Sequence, residues 1–369
     1  MPPQPVLHIR QTPAGEGRHS VRLTLRRPGQ PDLEGEATIA FSLSDQEQGD
    51  LRWYMEDYLQ RADQVAAVAV EQVEALMQAR GVELYERILE GSRDVRRIFD
   101  RVFDSLADLR VEITTGVAEA ASIPWELMRE PASDSPIALR AKAFVRVQSN
   151  PNIDFIPVPP LDDGRIRLLY VACRPGGAED VALRAVFNRL LQDLGGDLER
   201  FEITALRPPT YETLQKVLTA AKQAARPFHI VHFDGHGVYE DLSKTVLADW
   251  LKTISALTLG GPRKGKHGYL LFEHPDSRDK MRPVSGEELG KLLHDSGVPV
   301  LALNACQSAM HEATARPQTA ADDHDAVRAI GSLAQAVIDQ GIPAVLGMRY
   351  SVYVVTASQY IGQLYATLA

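Results

Sequence analysis

The segment HIVHFDGHGVYE, residues 229–240, decides how the second half of the chain is interpreted. Its first residues form an apolar run, which is typical of a strand buried on both faces of a parallel sheet. Three histidines and an aspartate, namely His229, His232, Asp234 and His236, lie within eight positions of one another. The sequence therefore predicts a buried strand that ends in chemically reactive side chains.

The chain around this segment alternates between apolar strands and helices of about 10 to 15 residues. From residue 166 onward the pattern runs through IRLLYVAC, FEITAL, YETLQKVLTAAKQA, GYLLFE, SGEELGKLLHDSG and VPVLALNAC. Repeated strand and helix units of this kind favour an α/β fold with a mostly parallel sheet flanked by helices. We expect this domain to cover residues 151–369.

The first part of the chain has a different pattern. Short alternating segments such as HSVRLTL and EATIAFSL predict half-buried strands, and the amphipathic stretches between residues 51 and 106 predict helices. A proline-rich stretch, residues 149–165, follows them and is typical of a connection between domains. We therefore expect an α+β domain over residues 1–150.

Composition limits the classes of function. The 369 residues carry a formal net charge of −9, which disfavours nucleic acid or an anionic membrane as a direct partner. No apolar run approaches the length of a membrane span, and the start of the sequence lacks the pattern of a secretory signal. Two cysteines in a chain of this length argue against a disulfide framework and predict a cytoplasmic protein.

A second strand also ends in a reactive group. The segment VPVLALNACQSA, residues 298–309, leads to Cys306, seventy positions after His236. Reactive groups of α/β sheets gather beyond the carboxyl ends of the strands, so neighbouring strands would bring a thiol and an imidazole together. Asn304 and Ala305 before the cysteine partly match the Gln-Ala-Cys of caspases, whose histidine lies about 50 residues upstream. The long segment 238–267 accommodates the additional residues, and a second long loop is predicted over 309–327.

These blocks together resemble the CHAT domains, which are caspase-like cysteine peptidases of bacteria in clan CD. The resemblance depends on VHFDGHGVY (231–239), VLALNACQSA (300–309), SLAQAVIDQGIPAVLGM (332–348) and IPWELMREP (123–131), and covers about residues 120–369. It implies a caspase-like sheet preceded by a supporting, pseudo-caspase-like subdomain. It also implies a protein substrate, no cofactor, and a bacterial defence or regulated-proteolysis effector gated by a sensor domain or an activating partner.

The same resemblance assigns roles to individual residues. Cys306 would be the nucleophile and His236 the general acid and base, and hydrolysis would pass through a thioester. The backbone N–H groups of Gly237 and Cys306 would form the oxyanion hole. Asn304 would contribute to the substrate cleft, and Asp234 would either orient the imidazole or line the same cleft.

Three other interpretations remain open at the level of sequence. Cys306 could be a small buried hydrophobe, as we expect for Cys173. His232, Asp234 and His236 share one face of a strand and could bind a metal ion, as in a metallohydrolase. The domain could also be a catalytically silent CHAT scaffold that serves only as an interaction module.

Overall fold

The computed structural model divides the chain into two compact units, Met1–Pro151 and Asn152–Ala369. Both units combine strands with helices, which confirms the mixed α/β class predicted from the sequence. None of the described helices is long and apolar enough to cross a membrane. The structure describes residues 4–15, 17–56, 58, 67–115, 123–147, 153–175, 183–240, 267–274, 276, 280–305, 333–347 and 354–368.

The first unit contains a mixed sheet with the strand order β3-β2-β1-β4-β5 over its described residues. The strands are β1 (Val6–Pro13), β2 (Arg18–Arg26), β3 (Leu33–Ala40), β4 (Arg110–Thr115) and β5 (Ala143–Arg146). The helices are α1 (Asp45–Glu56), α2 (Ala67–Glu90), α3 (Arg93–Val102) and the single turn α4 (Ile137–Arg140).

One face of this sheet forms the core of the first unit. In β2 the side chains of Val21 and Leu23 are fully buried, whereas the alternate residue Arg22 is exposed. This alternation gives the sheet one apolar face, against which the buried side of α3 packs. Trp125 belongs to the same core, and its indole N–H donates a hydrogen bond of 3.0 Å to Oε1 of Gln11. Trp125 is therefore a packing anchor.

Over its described residues, the second unit contains five strands joined in parallel, in the order β7-β6-β8-β11-β12. Two further strands extend the sheet in the antiparallel direction: β9 pairs with the second half of β8, and β10 pairs with β9. The sheet is therefore mixed rather than wholly parallel. The strands are β6 (Ile166–Ala172), β7 (Phe201–Ala205), β8 (Ile230–Glu240), β9 (His267–Glu273), β10 (Met281–Ser285), β11 (Val300–Ala305) and β12 (Ala344–Gly347). The helices are α5 (Leu183–Leu194), α6 (Tyr211–Gln223), α7 (Gly286–Ser296) and α8 (Val354–Leu368).

Helices cover both faces of this sheet. In β6, Leu169 and Val171 belong to one core with the buried residues of α6 and α7. The alternate residues Leu168 and Tyr170 belong to a second core with α5 and α8. Because both sets of alternate side chains are buried, β6 has the continuous apolar sequence expected of a central strand.

Strand β8 extends further than the sequence indicated. Residues 238–240 were expected to be irregular, but they belong to β8, which continues to Glu240 through pairing with β9. His236 therefore lies inside the strand, directly after the residues that pair with β6 and β11 and at the start of the pairing with β9. Residues 241–266 and the predicted loop 309–327 lie outside the described residues.

Candidate active site

The strand that carries His236 and the strand that leads to Cys306 are direct neighbours. Strands β8 and β11 pair in parallel, with Asp234 opposite Asn304 and Gly235 opposite Ala305. The next residue on β8 is His236, which is 4% exposed, and the next residue in the chain after Ala305 is Cys306. The register therefore brings the two chain segments that lead to the predicted dyad to the same edge of the sheet.

Cys306 itself lies outside the described residues, so its role as nucleophile and its part in the oxyanion hole stay predictions. Gly237, the other predicted oxyanion-hole residue, lies on β8 opposite Leu270 of β9. His236 lies opposite Leu271 of the same strand. Both positions belong to the described part of the site, and their catalytic roles also stay predictions.

Gly235 allows β8 to approach β6 closely. A Cβ atom at this position would lie 2.9 Å from the ring of Phe233 and 3.1 Å from the carbonyl oxygen of Cys173. Cβ contacts this short require neighbouring atoms to move. The glycine before His236 therefore serves strand packing.

Asp234 is buried, and its carboxylate has three partners. Oδ2 accepts hydrogen bonds from the Tyr170 hydroxyl at 2.6 Å and from Nη2 of Arg174 at 2.9 Å. Oδ1 accepts a hydrogen bond of 3.1 Å from Nδ2 of Asn304. No hydrogen bond between the described residues joins this carboxylate to His236. The structure thus places Asp234 in a polar cluster, and its predicted role in orienting the imidazole stays a prediction.

Arg174 is a functional candidate that the sequence analysis missed. Its side chain is only 7% exposed and forms a buried ion pair with Asp234. Nη1 also donates to the carbonyl oxygens of Cys173 and Asp234, at 2.9 and 2.7 Å. Arginine is rarely buried without an acidic partner, so a charged residue two positions after the end of the apolar strand β6 was the available indication.

His232 is a structural histidine. It is fully buried, and its ring packs against the rings of Tyr170 and Tyr365 with centroid distances of 5.0 and 5.8 Å. Its Nδ1 shares a hydrogen bond of 2.9 Å with the Tyr365 hydroxyl. Burial lowers the pKa of His232 to about 4, because the charged imidazolium would lose its hydration. The ring is therefore neutral at physiological pH.

The metal interpretation finds no support in the described geometry. His232, Asp234 and His236 alternate along β8, as the sequence predicted, but Asp234 already binds Arg174 and His232 binds Tyr365. Among the residues that the structure describes, no three histidine, cysteine or acidic side chains form a group able to hold a metal ion.

The other cysteine fits the structural role expected for it. Cys173 is fully buried, and its thiol donates a hydrogen bond of 3.3 Å to the carbonyl oxygen of Pro209. Burial raises the pKa of this thiol far above its usual range, so the reactive thiolate form is suppressed. His229 is likewise occupied, since its Nδ1 accepts a hydrogen bond of 2.9 Å from the backbone N–H of Arg167.

Comparison with protein families identifies a match to a known domain. The family model of the CHAT domain matches residues 178–369, which is more than half of the chain. The matched region includes His236 and Cys306, whereas Arg174 lies four residues before it. No curated protein and no solved structure shows a significant match. The family match confirms the resemblance inferred from the sequence blocks.

Proposed function

Because the chain belongs to the CHAT domain family, which is related to the caspase-like proteases, we propose that it is a cysteine endopeptidase. Cys306 is the nucleophile of this proposal and His236 the general acid and base. The supporting observation is the parallel register of β8 and β11, in which Gly235 lies opposite Ala305. Each of these two residues directly precedes one member of the dyad.

The proposed chemistry needs one thiol, one imidazole and water. The sulfur of Cys306 attacks the peptide carbonyl carbon, and its proton passes to His236. The peptide C–N bond then breaks, the amine leaves with the proton from the imidazolium, and a thioester remains on the cysteine. Water, deprotonated by His236, attacks the thioester and releases the acid, and the proton returns to the thiol. No cofactor takes part in these steps.

Backbone N–H groups support the developing oxyanion in this proposal. We assign this role to the N–H groups of Gly237 and Cys306, since one oxyanion-hole donor contributes about 2.7 to 4 kcal/mol in other hydrolases. Asn304 and Asp234 lie two residues before the proposed nucleophile and base. In this proposal both residues belong to the wall of the substrate cleft.

The biological setting of the proposal is a gated bacterial effector of caspase-like fold. A protein is its substrate, and a sensor domain or an activating partner controls access to the dyad. The shortage of cysteines supports a reducing, cytoplasmic environment, in which a thiolate nucleophile persists. The supporting role of the first unit belongs to the same proposal.

The dyad can be tested without knowledge of the substrate. A peptide acyloxymethyl ketone alkylates a nucleophilic cysteine that lies beside a substrate cleft, and the modified residue is identified by mass spectrometry of the digested protein. We expect the probe on Cys306 in the wild-type chain, and a loss of at least tenfold in labelling rate for His236→Ala. Cys173→Ala is the matched control, because the buried Cys173 should not react.

Two results would contradict the proposal. Equal labelling of wild type and His236→Ala would show that the imidazole does not activate the thiol. Absence of the peptide probe from Cys306, together with normal alkylation by iodoacetamide, would indicate an exposed thiol without a substrate cleft. The second result would favour the silent scaffold.

A further inference from the structure

A cluster of buried polar side chains joins three strand ends beside the proposed dyad. Arg174 follows β6, Asp234 lies on β8, and Asn304 lies on β11. Tyr170 of β6 completes the group, which we call the strand-end cluster. All four residues are at most 9% exposed.

The cluster fixes the backbone that leads to His236. The carbonyl oxygen of Asp234 accepts hydrogen bonds from Nη1 of Arg174 at 2.7 Å and from the backbone N–H of Cys173 at 2.9 Å. This carbonyl belongs to the peptide group between Asp234 and Gly235. Two donors that directly follow β6 thus hold the peptide group that joins Asp234 to Gly235. Gly235 in turn directly precedes His236.

The carboxylate of Asp234 divides its oxygens between two neighbouring strands. Oδ2 binds Tyr170 and Arg174 from β6, whereas Oδ1 binds the amide of Asn304 on β11. Asp234 lies two residues before His236, and Asn304 lies two residues before Cys306. The carboxylate of Asp234 therefore links the ends of β8 and β11 at this edge of the sheet.

A buried ion pair is a poor device for stability, because desolvation of both charges offsets their attraction. The presence of a buried ion pair is better explained by structural specificity, because its directional bonds select one arrangement of the strands among several similar ones. The apolar side chains of β6, β8 and β11 supply burial but little directional constraint. The guanidinium fork and the carboxylate supply directional bonds at the one edge where alignment of two reactive groups matters.

We infer that Arg174, Asp234 and Asn304 position the dyad: they hold the ends of β8 and β11 so that the imidazole of His236 meets the thiol of Cys306. This inference rests on the proposed function. Arg174, Asp234 and Asn304 are positioning residues in it, not catalytic ones. The amide of Asn304 is bound to Asp234, so this inference adds alignment of the strand to its proposed place in the wall of the substrate cleft.

The test measures how well the imidazole activates the thiol. Alkylation of Cys306 by iodoacetamide in the full chain is followed by mass spectrometry at about pH 8.5 and about pH 6.5. A free thiol loses about 50-fold in rate between these values, because the thiolate fraction falls with its pKa near 8.5. We expect the alkylation rate of Cys306 to fall less than about tenfold in the wild type and about 50-fold in His236→Ala.

The ratio of the alkylation rate at about pH 8.5 to the rate at about pH 6.5 measures this activation. Two variants of the cluster should move this rate ratio towards that of His236→Ala. Arg174→Lys keeps the charge, but a single ammonium cannot reproduce the forked contacts to two carbonyls and a carboxylate. Asn304→Ala keeps the ion pair and releases only β11 from Asp234, so it should fold even if the first variant does not. Leu218→Ala, a core change in α6, is the control for lost stability and should keep the wild-type ratio.

The outcomes separate this inference from the proposed function. If both cluster variants keep the wild-type ratio while His236→Ala changes it, the dyad stands and the positioning role is wrong. If wild type and His236→Ala show the same ratio, the dyad is wrong and the inference falls with it. If Leu218→Ala changes the ratio as much as the cluster variants do, the effect is one of general stability and the positioning role is rejected.

Discussion

Two histidines on one face of β8 show how position decides the chemistry of a residue. His232 and His236 are four residues apart, yet His232 is enclosed by Tyr170 and Tyr365 in the core under α8. His236 lies where the parallel part of the sheet ends. Enclosure makes His232 a neutral packing residue, whereas our proposal assigns the acid and base chemistry to His236.

Burial of His232 predicts a specific pH dependence of stability. Its pKa is lowered from 6.5 to about 4 in the folded state, so between these values the unfolded chain binds the additional proton. Stability from this residue is therefore complete above about pH 6.5 and is lost as the pH falls towards 4. We expect a loss of about 2 kcal/mol between pH 7 and pH 5, measured by urea unfolding of the second unit.

The variant His232→Asn isolates this contribution. Asparagine can keep a hydrogen bond to Tyr365 but does not titrate in this range. Histidines elsewhere, including His229 with its lowered pKa, affect wild type and variant alike. The difference in unfolding free energy between the two proteins should therefore change by about 2 kcal/mol between pH 7 and pH 5. A constant difference would show that His232 is not the group responsible.

At the scale of the element, β8 performs two tasks. Residues 230–235 pair with β11 in parallel, and residues 236–240 pair with β9 in the antiparallel direction. The change of partner leaves His236 at the edge of the parallel sheet while the strand itself continues. Gly235 stands at this change, packed against Phe233 and the carbonyl of Cys173.

A methyl group at Gly235 should displace the end of β8. The Cβ of Gly235→Ala would lie 2.9 Å from the Phe233 ring, and overpacking of this kind costs about 1 to 3 kcal/mol. We expect a lower unfolding free energy and slower labelling of Cys306 by the peptide probe. Gly196→Ala is the control, since nothing lies within 4 Å of its Cβ. Equal behaviour of the two variants would contradict the close approach of β6 and β8.

At the scale of the whole molecule, each unit has a core of its own. The buried cluster of the first unit runs from Leu7 to Ile137, and both clusters of the second unit begin after residue 160. Separate cores are the physical requirement for independent folding. The proposed dyad belongs wholly to the second unit.

This division predicts that damage to one core leaves the other unit intact. Leu23→Ala removes a fully buried side chain of the first unit, at a cost of about 2 to 5 kcal/mol to that unit. In calorimetry we expect a lower unfolding temperature for the first unit and an unchanged unfolding temperature for the second unit. The rate of Cys306 labelling should also stay unchanged. Leu218→Ala should instead lower the unfolding temperature of the second unit and leave that of the first unit unchanged. A single transition that shifts in both variants would show that the units unfold together.

Sequence alone determined the class of the fold and the family. Apolar runs such as that of β6 predicted strands covered on both faces, because burial on two sides requires apolar side chains at every position. Local chemistry was also readable: α7 begins after the cap Ser285 and ends at Gly297 with φ 71°, as serine before and glycine after a helical pattern indicate. The predicted dyad of His236 and Cys306 required neighbouring strands, and β8 and β11 are neighbours.

Only the tertiary structure decided which polar residues meet. Arg174 lies sixty residues before Asp234, and Asn304 lies seventy residues after it, so no local pattern could show that they share one buried cluster. The same holds for His232, which lies 133 residues from its partner Tyr365. Side-chain periodicity reports which face of an element is buried, whereas hydrogen-bond partners across strands depend on register and strand order, which arise when the whole sheet assembles.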